Sequence, residues 1–358
     1  MFLALNEIKQ AKLRYGLIMG LLCLVAYLMF FLSGLAFGLM QENRSAVDSW
    51  QADTVLLSKD ADANLSLSSL KTSQLKEIKA DEVTPLAQLN TVAWSTQAPT
   101  EEDKEKISFF GIERESFLKP TIAKGRLFKS DKEVVIDQSL AEKGGFKLGD
   151  QLRVSASNQT YTIVGYTKNA SFNVSPVAYL NLTAFQSLLY GQEAGIQDPN
   201  VNAFIIKGKL ADYPKADLQQ LTIGDFINKL PGYSAQLLTF GFMIGFLVLI
   251  SAIIIGIFMY VLTIQKAPIF GIMKAQGIAN RTIANAVLSQ TFVLSLLGSS
   301  LGLLGTWLSS LVLPATVPFQ SNWYLYALIL VAMVVFAVLG TLFSVFTIVR
   351  IDPLEAIG

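Results

Sequence analysis

The chain of 358 residues contains no histidine and a single cysteine, Cys23. Serine–histidine and cysteine–histidine catalysis are therefore excluded. A zinc site would need carboxylates alone, against the usual nitrogen and sulfur ligands. One cysteine cannot close an intramolecular disulfide, and from inside an apolar run it does not report a redox compartment. No Gly-x-x-x-x-Gly-Lys-Ser/Thr stretch occurs, and "GGFKLGD" (144–150) reads as a turn between a helix and a strand rather than a phosphate loop. Glu101, Glu102 and Asp103 sit in a polar stretch (95–106) that reads as an exposed acidic loop, not as an acid–base pair. The chain is not expected to be an enzyme on its own, and neither an intrinsic cofactor nor a metal is expected.

Charge is also missing, in four long blocks. Residues 16–40, 236–263, 284–313 and 323–349 hold no Asp, Glu, Lys or Arg. Each exceeds the roughly 20 apolar residues that cross a hydrocarbon core. With 52% hydrophobic residues and a mean hydropathy of +0.46, the chain reads as a multi-pass membrane protein. The first block is too long for a signal-peptide core and no Ala-x-Ala site follows it, so it reads as an uncleaved anchor. Spans without an ionisable group argue against proton or ion coupling, and none has the polar lining of a channel.

Orientation follows from basic residues in short segments. Lys9, Lys12 and Arg14 precede the first block, Lys266, Lys274 and Arg281 fill the insert at 264–283, and Arg350 follows the last. The N-terminal segment 1–15, the insert and the tail 350–358 are thus expected in the cytoplasm. Residues 41–235 and the uncharged loop 314–322 are expected outside. The 41–235 segment carries 21 basic and 24 acidic residues, a net charge of −3 with the signs mixed, which is an ordinary soluble surface. It has no polybasic patch for nucleic acid or lipid headgroups. It reads as an α+β domain inserted between the first and second spans. Strands are expected at 52–59, in "LNTVAWST", "ISFFGIE", "TYTIVGYT" and "PVAYLNL", at 133–137 and at 201–208. Helices are expected at 69–78, before Gly144–Gly145, in "TAFQSLLYG" and in "IGDFINKL".

At about 100° per residue, Gly16, Gly20, Gly34, Gly38, Tyr27 and Phe31 share one face of the first span, about 80° wide. Gly-x-x-x-Gly pairs let a second helix approach closely. That helix belongs either to the same chain or to a second copy across a dimer seam, or the face forms a groove for a flat ligand. Gly241/Gly245 and Gly298/Gly302 repeat the spacing, which suits a tightly packed bundle. Met29 and Met40 fall nearly opposite, and Glu42 lies close to the glycine face just beyond the span.

The insert "QKAPIFGIMKAQG" (265–277) is a short amphipathic helix. Pro268 suits its first turn, Ile269, Ile272 and Met273 form an i, i+3, i+4 stripe, and Gly277 ends it. A second helix starts near Asn280–Arg281. The insert either lies on the inner leaflet, held by Lys266 and Arg281, or docks a cytoplasmic partner.

One N-terminal span, a large outside domain and three C-terminal spans resemble the type VII ABC transporter permeases, the cell-division-permease-like and macrolide-exporter superfamily. "QKAPIFGIMKAQG" resembles that family's Gln-Lys-x-x-x-x-Gly-x-x-Lys-Ala-x-Gly insert. "EVVIDQSLAEKGGFKLGD" with "YTIVGYT" resembles its extracytoplasmic core, and "RIDPLEAIG" its C-terminal ending. The resemblance implies a homodimer in the plasma membrane, paired with two separate ATPase subunits docked through Lys266, Ile269, Phe270, Ile272, Met273, Lys274 and Gly277. It implies mechanotransmission, in which ATP-driven motion reaches the outside domain and no pathway crosses the membrane. Many members carry an acidic residue before the insert's central glycine. Pro268, Ile269 and Phe270 stand there instead, so docking is expected to rest on shape and apolar contact. Residues 1–50 are similar to the haem exporter permeases of Gram-positive bacteria. That implies haem as substrate and, without histidine, points to Tyr27, Met29, Phe31, Met40 and Glu42 as its contacts. A signalling permease that senses a peptide or activates a cell-wall hydrolase, and a peptide or lipoprotein extruder, are the competing expectations.

Overall fold

The computed structural model describes residues 12–95, 99–155, 157, 159–191, 198–314 and 317–350. Most of the N-terminal segment and the 351–358 part of the ending lie outside the described residues. The chain divides into two compact units, Leu39–Leu237 and the remainder. Four helices are long and apolar enough to cross a membrane, within Tyr15–Ser49, Tyr233–Gln265, Asn280–Ser310 and Trp323–Leu342.

The Leu39–Leu237 unit is built on a mixed sheet. Its strands are β1 (Thr54–Ser58), β2 (Leu70–Lys71), β3 (Lys79–Trp94), β4 (Glu105–Ile112), β5 (Ile122–Gly125), β6 (Glu133–Asp137), β7 (Gln151–Val154), β8 (Thr160–Thr167), β9 (Ser171–Phe172), β10 (Ser175–Asn181), β11 (Asn200–Val201), β12 (Ala203–Asp212) and β13 (Leu218–Thr222). The spine of the large sheet runs β13-β1-β12-β3-β4-β10-β6-β8-β5. β4–β10 and β6–β8 pair in parallel, and the other pairs are antiparallel. Helices α2 (Gln138–Gly144), α3 (Leu182–Tyr190) and α4 (Ile223–Asn228) are inserted among the strands.

The central strands read as unbroken apolar runs because both faces of the sheet are buried. Successive side chains point to opposite faces. Phe109, Val134, Ile136 and Ile206 therefore enter one core, and Phe110, Val135, Ile205 and Tyr179 the other. The second core also receives Ala46, Val47 and Trp50 from the end of helix α1 (Lys12–Ser49) and the turn after it, with Phe226 and Ile227 from α4. Trp50 is 1% exposed and packs between Phe110 and Phe226, with ring centroids at 6.0 and 6.2 Å.

Two local expectations are corrected. Residues 69–78, spaced like an α-helix, form β2 and only a six-residue 3-10 helix over Thr72–Glu77. Tertiary contacts win there: β2 pairs with β11, and the Asp198 carboxylate accepts from the Thr72 hydroxyl and from the Ser73 amide and hydroxyl at 2.7–2.9 Å. The 95–106 loop is shorter than its polarity suggests, because Glu105 and Lys106 already pair with Ala93 and Val92 in the β3–β4 ladder.

The other unit holds the residues up to Gly38 of α1 and those from Leu238 onward. Its helices are the rest of α5 (Tyr233–Gln265), α6 (Ala267–Ala275), α7 (Asn280–Ser310) and α8 (Trp323–Arg350). Glycine sets its closest approaches. A Cβ on Gly302 would sit 2.6 Å from the Ala26 side chain and 2.7 Å from the Tyr27 backbone nitrogen. One on Gly340 would meet the Ala252 carbonyl oxygen at 2.5 Å. Thus α7 lies against α1, and α8 against α5, at distances that a side chain would prevent. Thr291 and Thr341 share a hydroxyl hydrogen bond of 3.1 Å between α7 and α8.

Candidate functional site

The insert between the second and third spans is helix α6. Pro268 stands in its first turn, where a missing N–H costs nothing, and Gly277 closes it at φ +84°, a left-handed conformation that favours glycine. Helix α7 begins at Asn280. The apolar stripe divides between two sides. Phe270 is 6% exposed and packs with Met273 and Ile278 into a core that contains Tyr15, Ile18, Ile283 and Val287. Ile269 and Ile272 point outward, 56% and 48% exposed. Pro268, Ala275, Gln276 and Gly277 are exposed beside them. Of the seven proposed docking residues, Phe270 is buried in the bundle's own packing and Met273, one of the three stripe residues, is partly buried against it, while Ile269 and Ile272 of the stripe stay exposed. Lys266 is also engaged internally, since its Nζ donates to the Tyr15 hydroxyl at 2.9 Å and lies 5.6 Å from that ring's centre. Lys274 is half-buried.

The first span carries the second group of candidates. Tyr27 and Phe31 stack, with ring centres 5.8 Å apart and planes 20° from parallel. Phe31 continues onto Phe319 at 5.4 Å. The Tyr27 hydroxyl and Ser309 Oγ lie 3.1 Å apart, in hydrogen-bond contact. These three half-buried rings form a continuous aromatic rank along one side of α1. Met29 does not belong to it. It is 0% exposed in a core with Phe30, Tyr326, Ile329 and Met333, so its thioether meets no ligand from outside. Met40 and Glu42 fall in the Leu39–Leu237 unit, where Met40 packs against that unit's second core and Glu42 is half-buried. Of the five candidate contacts, only Tyr27 and Phe31 are shown side by side.

The glycine face is likewise divided. A Cβ on Gly34 would strike Phe319 and Tyr326, and one on Gly38 the Pro318 backbone, so the loop before α8 covers both. The Gln320 amide donates to the Gly34 carbonyl at 3.2 Å. Gly16 and Gly20 meet nothing within 4 Å. The intramolecular reading therefore holds for the upper pair, while the lower pair is open. Phe319, Ser309 and Tyr15 are the contributors that sequence reasoning missed. Phe319 stands in an uncharged loop between two spans, and a lone aromatic there was the available signal.

No group of three or more metal-ligating side chains occurs among the described residues. The arrangement offers an exposed apolar ridge on a short inter-span helix and an aromatic rank on a membrane helix.

Residues 15–220 match the MacB-like periplasmic core domain and residues 241–353 the FtsX-like permease C-terminal family. A protein of Staphylococcus epidermidis, provisionally named hemin transport system permease protein HrtB, is 27% identical over 100% of this chain and 99% of its own length. Its namesake in Staphylococcus haemolyticus is 28% identical over the same shares. The extracellular domain of the noncanonic ABC-type transporter YknZ from Gram-positive bacteria matches 45% of this chain and 84% of its own, at 17% identity and a TM-score of 0.31. With one family spanning more than half of the chain and the other most of the remainder, this protein belongs to the MacB/FtsX-like ABC-transporter permeases and is a multi-pass protein of the plasma membrane.

Proposed function

We propose that the chain is the membrane subunit of an efflux pump that removes haem, or a similar flat amphipathic compound, from the membrane. An ABC permease works with a partner ATPase, and the sequence carries no nucleotide-binding loop of its own. The exposed Ile269–Ile272 ridge carries the coupling part of the proposal. It is apolar, lies on a helix between two spans, and is left over after Phe270 and Met273 have entered the bundle. The proposed orientation puts this ridge, with Lys266, Lys274 and Arg281 around it, in the cytoplasm where an ATPase is found. The working unit is a homodimer with two ATPase copies, and the open Gly16/Gly20 pair is its nearest available seam on the first span.

The substrate class rests on the relatives' names together with the Tyr27–Phe31–Phe319 rank, because stacked aromatic rings suit a flat macrocycle. Spans without charged side chains favour motion relayed to the extracytoplasmic domain over a hydrated path. The test is hemin tolerance. Deletion of the gene should sensitise cells to hemin, and the intact chain with its ATPase should restore growth. Unchanged tolerance of the deletion strain would remove haem as substrate.

A further inference from the structure

We propose that the tip of the β9–β10 hairpin is a latch on the distal end of helix α1, and that its release is a step of the pump cycle. At the tip, Asn173 and Val174 both adopt left-handed backbone, with φ of 48° and 64°. Asparagine tolerates that region, but for a β-branched residue it is a genuine outlier. Such a conformation persists only where the surroundings hold it. The Val174 side chain is 49% exposed, so its packing does not hold it. The two-residue turn between the paired Phe172 and Ser175 demands positive φ at both positions, and helix α1 adds a second hold. The Asn173 amide donates to the Asn43 carbonyl and the Val174 amide to the Glu42 carbonyl, each at 3.1 Å. The Ser171 amide donates to Ser45 Oγ at 2.9 Å, and that hydroxyl donates back to the Ser171 carbonyl at 3.4 Å.

The contact is also incompletely satisfied. The Asn173 side-chain oxygen is buried with no hydrogen-bond partner. A strained backbone and an orphaned acceptor at adjacent positions make this a balanced contact, whose opening releases strain as it gives up hydrogen bonds. Its location suits a coupling element, because β10 runs between β4 and β6 in the middle of the sheet. A movement of α1 against the tip is therefore felt at the centre of the domain. Ser45, Ser171, Asn173 and Val174 act here as positioning residues.

This inference rests on the reading of the chain as an ATP-driven permease, but its test does not depend on the substrate. In a Cys23→Ser background, Ser45→Cys with Ser171→Cys places two thiols across the latch, and closure of the disulfide is scored by loss of maleimide labelling. In nanodiscs with the partner ATPase, closing it should slow ATP turnover at least ten-fold. Reductant should restore the rate, and each single-cysteine variant should ignore the oxidant. A closed disulfide with turnover within two-fold of the reduced form overturns the proposal, as does a pair of thiols that never joins. Without ATPase, Val174→Gly should raise the permease's unfolding temperature by removing the strain, and an unchanged temperature also contradicts the latch. If the complex turns over ATP normally yet gives cells no hemin protection, the haem reading fails while the latch result stands.

Discussion

Helix α6 gives the most direct perturbation, because its two sides predict opposite outcomes. Ile269 and Ile272 are about half exposed. Fully burying an isoleucine side chain is favourable by about 1.5–3 kcal/mol, so covering the remaining half of each is worth about 0.75–1.5 kcal/mol. The pair together would contribute roughly 1.5–3 kcal/mol to docking. At 1.4 kcal/mol per factor of ten, Ile269→Ala with Ile272→Ala should weaken ATPase binding roughly 10- to 140-fold. Ile272→Asp should weaken it further, since an unpaired carboxylate would be buried at the interface. On the other side, Met273→Leu conserves volume and should cost little. Phe270→Ala should destabilise the bundle by about 3–5 kcal/mol, reducing the amount of folded permease before it changes affinity. Binding of the purified ATPase to detergent-solubilised permease measures the affinity, and the level in the membrane fraction controls for folding. If the double alanine variant binds within three-fold of the wild type while Met273→Leu loses binding, the assignment of the two sides is wrong, and α6 returns to lying on the inner leaflet.

The remaining expectations are independent of docking. Trp50→Ala should cost about 3–5 kcal/mol in unfolding of the Leu39–Leu237 unit, read by chemical denaturation, because the indole is 1% exposed between two rings. Gly302→Val should lower the melting temperature of the permease, whereas Gly20→Ala, with nothing within 4 Å, should leave the monomer unchanged, and Gly20→Leu should reduce the cross-linked dimer fraction. Tyr27→Ala should sensitise cells to hemin while Met29→Leu should not, since the methionine is sealed inside the bundle. The Arg126 guanidinium grips Glu133 at 2.6 and 2.7 Å and, helped by the Lys129 amide, pulls its carboxyl from 4.5 to about 2. The folded pKa is the lower one, so this stabilisation is present above about pH 4.5 and is lost as the pH falls towards 2. The unfolding temperature of wild type should drop more than that of Glu133→Gln between pH 5 and pH 3.

How much was legible in the sequence depended on whether a signal distinguishes two faces. The spans, the inserted α+β domain and the bounds of α6 were readable because charge, Pro268 and Gly277 mark edges that physics makes unambiguous. The packed side of α6 was not. Ile269, Phe270, Ile272 and Met273 are all apolar, and next to a membrane hydrophobicity does not separate a side facing the bundle from one left exposed. Met29 and Tyr27 show the same limit two residues apart on one helix. The helical wheel that groups the four glycines carries no information about a loop folding back, and so missed Phe319 and Pro318 over Gly34 and Gly38. In the sheet, the stretch at 133–137 signalled a strand, yet its burial on both faces, and which residue faces which core, follows only from the pairing. The left-handed backbone at Val174 had no sequence signal, since valine is among the last residues expected there.

Whether ATP bound by a partner docked on the Ile269–Ile272 ridge drives haem out of the membrane is decided by one reconstitution. Permease and ATPase are placed together in nanodiscs loaded with hemin, and the transfer of hemin to apo-albumin in solution is followed by absorbance as ATP is added. ATP-dependent transfer is expected with the wild type and none with Ile269→Ala/Ile272→Ala. ATP hydrolysis by a stable complex with no acceleration of hemin transfer would contradict it.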